Sequence, residues 1–335
     1  MSWYDLVRPL IDRLDPETAH RLALKALAAG LVPGNGAADV PTLGVSALGL
    51  SFANPIGLAA GFDKNGRVFQ AMKGLGFGFA EIGGVTPLPQ IGNPRPRLFR
   101  LNEDRAAINR MGFNNEGMEA VASRLAARRD RSFPVGVNLA SNTESAEPAR
   151  DFELLVARFA PLADYLTIDV SCPNTKNGRM FQDPVRLADL LARLKLARGT
   201  LATPMLVKLA SDLKSDEARA IARVTIDAGL AGLVVANTSA ERPESLRSAA
   251  KAERGGLSGR PIFDASTRLL AEVRAEIGPD PILVGVGGVF TGADALAKLQ
   301  AGANLIQLYT ALVYEGPPVV GRIKRDLAAL LRKPG

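Results

Sequence analysis

The chain has 335 residues, 47% of them apolar, a formal net charge of +7, one cysteine and one histidine. That length allows one large barrel or two ordinary domains with a sizeable core, while a single cysteine excludes an internal disulfide and a single histidine argues against a histidine-rich metal centre. The positive charge suits a nucleic acid, an anionic membrane face, an anionic small ligand or simply a basic surface, but no compact Lys/Arg run interleaved with aromatic residues is present, which weighs against nucleic acid.

The first thirty residues read as two short amphipathic helices. Trp3, Leu6, Val7, Leu10, Ile11 and Leu14 recur at helical spacing, and Asp15-Pro16 restarts the pattern as an N-cap followed by a proline in the first turn. Ala19, Leu22, Ala23, Ala26 and Leu27 form the second apolar face, which Pro33-Gly34-Asn35-Gly36 ends. Periodicity alone favours a helix pair packed on the main domain over an interfacial anchor tipped by Trp3 and Tyr4. Charged residues interrupt the N-terminus and no apolar run reaches spanning length, so neither a signal peptide nor a transmembrane helix is expected.

After residue 50 short apolar runs alternate with amphipathic ones. The strand candidates are Pro55–Ala60, Gly78–Gly83, Val135–Leu139, Tyr165–Val170, Met205–Leu209, Gly232–Ala236, Ile282–Val286 and Leu305–Tyr309. Helical runs follow each of them, from Val68–Lys73 through to Pro318–Leu330. Eight such units, and no early Gly-x-Gly-x-x-Gly turn, predict a closed (β/α)8 TIM barrel rather than an open doubly wound sheet. Domain boundaries are placed at 1–36 for the helical extension and 37–335 for the barrel. Active groups then belong in the loops after the strands, where Asn54, Lys64, Asn138, Cys172, Asn174, Lys208, Asn237 and Gly288 fall. The long insertion from Pro87 to Asn115 contains a candidate hairpin, Arg97–Leu101 with Arg105–Asn109, over the barrel mouth.

Three features carry chemistry. Gly285-Val286-Gly287-Gly288 and Tyr309-Thr310 close strands seven and eight, where barrels often hold phosphate, and Gly255–Pro261 adds a glycine-lined wall; the phosphate could belong to FMN or to a sugar phosphate, and tight turns are the plain alternative. Lys208 ends an apolar strand, where it could balance an anionic flavin ring, form a Schiff base, or reach the rim as an ordinary surface lysine. Cys172, before Pro173 at a strand exit, is placed for proton transfer, since a thiol with an unperturbed pKa near 8.5 can accept or donate a proton near neutral pH; its plain reading is a buried structural thiol. His20 lies far away in sequence, so a Cys–His pair is not expected.

Leu14–His20, Gly57–Lys64, Asn93–Leu101, Asn109–Asn115 and Gly255–Pro261 together resemble the quinone-dependent, membrane-associated class 2 of the dihydroorotate dehydrogenase family, over nearly the whole chain. The resemblance implies an FMN-containing barrel that oxidises dihydroorotate to orotate for pyrimidine biosynthesis, with ubiquinone or menaquinone as final acceptor. It makes the helix pair a membrane-contacting quinone entrance, reversing the reading from periodicity, with His20 and Arg100 near the quinone and Trp3 meeting lipid. The implied location is peripheral, on the cytoplasmic side of an inner membrane. Implied substrate contacts are Lys64, Asn109, Asn174, Asn237 and Thr238, with Met111, Gly112 and Phe113 lining the site. Implied flavin contacts are Ala60, Gly61, Asn138, Lys208, Gly259, Gly288, Tyr309 and Thr310. Cys172 takes the catalytic base position, and no metal or nucleic acid is implied.

Three positions depart from the family pattern. Asp169 stands where asparagine usually touches flavin and substrate, and an ionised carboxylate only accepts hydrogen bonds and repels an anion. Gly84 and Ala236 replace hydroxyl residues common near the flavin. Cys172 itself is serine in most of the membrane class. The rival readings are an FMN-dependent tRNA dihydrouridine synthase, whose active cysteine also follows a strand and precedes proline, a membrane-associated flavoprotein with altered substrate or lost activity, and a flavin-free sugar-phosphate barrel.

Overall fold

Short β-branched and aliphatic runs that are apolar on both faces can be stable only when covered on both sides, and here they close on themselves. The computed structural model describes residues 3–34, 40–171 and 179–332. In chain order, helices α1 (Trp3–Asp12) and α2 (Pro16–Ala28) precede a hairpin of β1 (Val45–Ala47) and β2 (Leu50–Phe52). Then come β3 (Ile56–Leu58), β4 (Phe79–Val85), β5 (Leu98–Leu101), β6 (Ala106–Asn109), β7 (Val135–Leu139), β8 (Tyr165–Asp169), β9 (Met205–Lys208), β10 (Gly232–Val235), β11 (Gly256–Gly259), β12 (Ile282–Val286) and β13 (Leu305–Leu308).

β3, β4, β7, β8, β9, β10, β12 and β13 form a closed parallel barrel, β13 pairing back onto β3. All eight expected strands are present, so the TIM barrel is the fold. Amphipathic helices such as Pro184–Arg198 and Phe263–Ile277 bury one face against it. The β1–β2 hairpin, which the sequence did not suggest, plugs the barrel at the starts of its strands: Phe52 packs on Phe79 at 5.3 Å, beside Tyr165 and Leu305. Asn54 belongs to this end too. Its side chain donates to Gly76 O at 3.2 Å and accepts from Ile56 N at 3.1 Å. Its placement among the active groups is therefore corrected: it brackets the entry to β3, before the strand and not after it.

Above the opposite end sits a three-stranded antiparallel sheet in the order β11–β6–β5. The expected hairpin is there as β5 and β6. The stretch read as a glycine-lined wall supplies the third strand, and Leu101, Ala106, Ile108, Leu246 and Leu257 give this sheet a core of its own. The buried Arg97 ties it to α2, donating to Glu17 Oε1 at 2.7 Å and Oε2 at 3.0 Å and to the carbonyls of Ile91 and Asn93. Those guanidinium bonds hold the Glu17 carboxyl below its usual range.

α2 begins as expected, Asp15 accepting from Thr18 N at 2.9 Å with Pro16 in the first turn. α1 packs on the barrel through the buried Tyr4, whose hydroxyl donates to Val313 O at 2.8 Å, but much of its apolar face is uncovered, Leu6 being 70% and Leu10 63% exposed. Leu22 and Leu31 continue this uncovered apolar edge along α2 and the turn beyond it. The Trp3 side chain lies outside the described residues. No helix among the described residues is long and apolar enough to cross a membrane.

Candidate active site

A single cavity of about 540 Å³ starts between α1 and α2 and ends over the barrel mouth. Ala19, Leu22, Ala26 and Leu31 line its outer end, Lys64, Asn109 and Asp169 its inner end. Apart from Asn54, every sequence-predicted site residue within the described stretches lines it: His20 and Arg100; Lys64, Asn109, Met111, Gly112, Phe113, Asp169, Asn237 and Thr238; Ala60, Gly61, Gly84, Asn138, Lys208, Ala236, Gly259, Gly288, Tyr309 and Thr310. Cys172 and Asn174 lie outside the described residues.

Lys64 stands in the loop after β3. Asp63 shapes that loop by accepting from Arg67 N at 2.8 Å and Val68 N at 2.7 Å. Lys64 Nζ donates to Gly61 O at 2.7 Å, and burial lowers its pKa to about 8. A half-buried ammonium with one carbonyl partner among the described residues is poised for an anion.

The Met111–Phe113 turn is held from behind. Gln90 Nε2 donates to Gly112 O at 3.0 Å and Phe113 O at 3.1 Å, and Asn115 Nδ2 to Phe113 O at 2.7 Å. Phe113 has φ of +51°, a sparsely populated conformation that the surrounding bonds maintain. Its ring fills the space beside Gly84, where a Cβ would come within 2.8 Å of it. That contact gives a physical reason for glycine at the position where a hydroxyl residue is common.

Asp169 ends β8 opposite Lys208 of β9 in the parallel register. Its Oδ1 accepts from Ser171 Oγ at 2.7 Å and Ser171 N at 3.1 Å. Asn237 Nδ2 donates to Ser171 Oγ at 2.9 Å and stands 3.4 and 3.5 Å from the two carboxylate oxygens, while Thr238 N donates to Asn237 Oδ1 at 2.8 Å. A carboxylate on Asp169 is thus satisfied by donors of the neighbouring loops. Lys208 is 5% exposed, so it is no rim lysine.

At the other side of the mouth Gly287 and Gly288 form the turn after β12. Gly288 has φ of +71°, and a Cβ there would lie 2.5 Å from Phe263 Cβ, so only glycine lets the turn fold against the helix behind it. Lys298, which the sequence reading missed, lies buried beneath: its Nζ donates to Ser266 Oγ at 2.7 Å and to Val286 O at 3.4 Å, and burial lowers its pKa to about 7. It places an amine behind the turn.

His20 meets the cavity from α2, edge-on to Phe62 at 5.0 Å. Arg100 Nη1 reaches Leu14 O at 3.1 Å and so pins the α1–α2 turn beside it. Burial, and next the charge of Lys64, lower the His20 pKa to about 4. An unfolded histidine titrates near 6.5, so between roughly pH 6.5 and 4 the unfolded chain binds the extra proton. His20 is therefore expected to stay neutral down to about pH 4. Its contribution to stability is complete above pH 6.5 and is lost as the pH falls through that window, by about 3 kcal/mol at most. With one histidine in the chain, NMR titration of the imidazole is unambiguous. An ordinary titration near pH 6.5 in the folded protein would refute the burial argument.

Among the described residues no group of three His, Cys, Asp or Glu is placed to hold a metal. What remains is a barrel with a glycine turn suited to phosphate, a cation for a small anion, and an apolar passage reaching the surface between two helices. This is the layout of a barrel oxidoreductase that joins a polar substrate to an apolar one.

Comparison with known proteins narrows the class. A family model described as dihydroorotate dehydrogenase matches residues 42–331, and the chain belongs to this family, whose members are flavoenzymes. It is 52% identical to the dihydroorotate dehydrogenase (quinone) of Rhodospirillum rubrum over 100% of this chain and 92% of that protein. It is 46% identical to the mitochondrial dihydroorotate dehydrogenase (quinone) of Mus musculus over 99% of this chain and 87% of that one. The crystal structure of the Eimeria tenella enzyme in complex with ferulenol superposes with a TM-score of 0.90 at 38% identity, covering 95% of this chain and 92% of that one.

Proposed function

We propose that the protein oxidises dihydroorotate to orotate in pyrimidine biosynthesis, with FMN as bound hydride acceptor and a membrane quinone, ubiquinone or menaquinone, as final acceptor. The observation that carries this reading is the single cavity, which joins Lys64 and the asparagines at its inner end to His20, Arg100 and the apolar helix pair at its outer end. Full-length similarity to quinone-dependent relatives supports it and decides against the tRNA-modifying and sugar-phosphate alternatives.

The residues present fit FMN. The Gly287–Gly288 turn and Tyr309-Thr310 would hold the phosphate, with Lys298 behind them, and Lys208 and Asn138 would face the ring. Two buried oxygens in this cavity, Asn138 Oδ1 and Gln307 Oε1, lack a hydrogen-bond partner among the described residues, as expected where a ring N–H belongs. Bound FMN supplies the redox chemistry, taking up hydride and passing the electrons on.

The chain's own work is positional. Lys64 pairs with the substrate carboxylate, and Asn109, Asn174 and Asn237 match the donors and acceptors of the pyrimidine ring. Cys172 takes the proton from C5 of dihydroorotate as the C6 hydride departs, and the burial of the inner end keeps water from the reacting atoms. At the outer end the exposed leucines of α1 and α2 lie against the face of an inner membrane, so that a quinone enters between the helices from the lipid without the chain spanning it. We divide the chain at 1–36, the helical extension, and 37–335, the barrel; the division itself falls among residues outside the described ones.

Steady-state oxidation of dihydroorotate coupled to a soluble quinone analogue tests the assignment, and acceptance of NAD or fumarate in place of quinone would contradict it. Asp169 is the position where this chain departs most from its family in charge. Asp169→Asn removes a negative charge beside the orotate site, and orotate is expected to bind about tenfold more tightly, a gain of roughly 1.4 kcal/mol for one relieved like-charge contact. Unchanged or weaker orotate affinity, read by flavin absorbance titration, would show that the carboxylate does not face the substrate.

A further inference from the structure

Glu81, in the middle of β4, is fully buried inside the barrel, and a buried carboxylate needs a reason. Four donors converge on it. Asn138 Nδ2 reaches Oε1 at 3.1 Å, while Gln307 Nε2 at 2.8 Å, Thr167 Oγ1 at 3.0 Å and Tyr165 Oη at 3.2 Å all reach Oε2. Tyr165 is a dependable donor, since burial and then the charge of Glu81 push its pKa well up. Three donors on Oε2 and one on Oε1 thus hold the carboxylate from within the barrel, and both amides are committed to it.

The consequence falls on the two amides. An amide that gives its NH2 to a carboxylate must carry its oxygen on the other side. Turning either amide over would set oxygen against carboxylate oxygen, so the orientation is fixed by charge and not by a choice between similar atoms. The oxygens left over are Asn138 Oδ1 and Gln307 Oε1, which among the described residues are the buried atoms of this cavity without a hydrogen-bond partner. Asn138 Oδ1 lies beside Gly84, itself part of the cavity lining.

We propose that Glu81 is a positioning residue: by taking the amide donors of Asn138 and Gln307 it fixes their oxygens as a pair of acceptors for the ring N–H at N3 of the flavin. Gln307 thereby becomes a flavin-recognition residue alongside Asn138. The arrangement selects an oxidised or reduced flavin that keeps its N3 proton and disfavours a ring substituted there. The inference rests on the FMN reading above and deepens it.

The test measures dissociation constants of FMN and of 3-methyl-FMN, which lacks the N3 proton, from flavin fluorescence of the full-length protein. Stoichiometric FMN binding by the unaltered protein establishes the reading on which the inference rests; failure to bind FMN at all would end that reading and the inference with it. In Glu81→Gln the new amide must donate to one neighbour, which turns over and presents its NH2 to the cavity. FMN should then bind about tenfold more weakly, the size of one lost buried hydrogen bond, and the preference for FMN over 3-methyl-FMN should shrink by a similar factor. Equal weakening of both flavins would mean a general packing defect and would overturn the proposal, as would an unchanged constant and preference. Should Glu81→Gln not fold, Gln307→Met deletes one acceptor and leaves the carboxylate intact. It should weaken FMN about three- to tenfold and reduce the same preference, and no change would overturn the proposal.

Discussion

Replacing Cys172 with alanine is expected to slow reduction of the flavin by dihydroorotate about a thousandfold, within the usual range for loss of a positioned general base. Orotate binding should be nearly unchanged, because Lys64 and the asparagines remain. The two effects separate a base from a packing residue: a structural thiol would move affinity and stability together. Cys172→Ser should retain much of the rate, since the membrane class mostly uses serine there. Its rate should need a higher pH to reach its plateau, because a hydroxyl gives up its proton far less readily than a thiol that titrates near 8.5 in water. Stopped-flow absorbance of the first half-reaction across pH checks the three rate statements, and titration with orotate checks the affinity. An alanine variant within threefold of the parent rate would remove Cys172 from the mechanism.

Lys64 should matter nearly as much. Lys64→Met deletes the cation for the substrate carboxylate at a half-buried position that bound substrate would cover, and losing one partner of such a pair costs about 3 kcal/mol, or roughly a hundredfold in kcat/KM for dihydroorotate. Its pH dependence follows from burial. The free protein holds Lys64 at a pKa of about 8, so above that pH binding an anion requires taking up a proton. The dissociation constant for orotate should therefore rise about tenfold per pH unit above 8, until the pKa of the anion-bound lysine is passed. The anion favours the ammonium, so that second pKa lies higher. A flat affinity between pH 7 and 10, or a Lys64→Met variant that loses the rate but keeps orotate, would place the lysine elsewhere in the reaction.

The barrel was legible because each strand is an apolar run ended by a glycine, proline or polar residue, and each helix keeps its own period. The site was legible for the same reason. Lys64, Asn138, Lys208 and Asn237 are polar residues where an apolar strand ends, and the barrel brings all such ends to one rim. Asn54 shows the limit of that rule, since a polar residue next to a strand does not reveal whether it precedes or follows.

β11 was missed for a different reason. Gly256-Leu257-Ser258-Gly259 has little strand propensity of its own, and its partner β6 is far away in sequence, so only the folded lid makes it a strand. Glu81 and Gln307 were invisible because each stands inside an apolar run, Phe79–Val85 and Leu305–Leu308, and local sequence does not say that four donors meet there. The helix pair is the reverse case. Its period marks an apolar face without naming what covers it, and the exposure of Leu6 and Leu10 shows that the other described residues do not.

The central claim is that one cavity couples dihydroorotate at its inner end to quinone at its outer end through FMN. Anaerobic addition of dihydroorotate to the purified protein in mild detergent, followed by visible absorbance, tests it most directly. Rapid bleaching of the flavin, reversed by a quinone analogue and not by fumarate or NAD, is the predicted result. A yellow protein that dihydroorotate leaves yellow, or a colourless one, would contradict it.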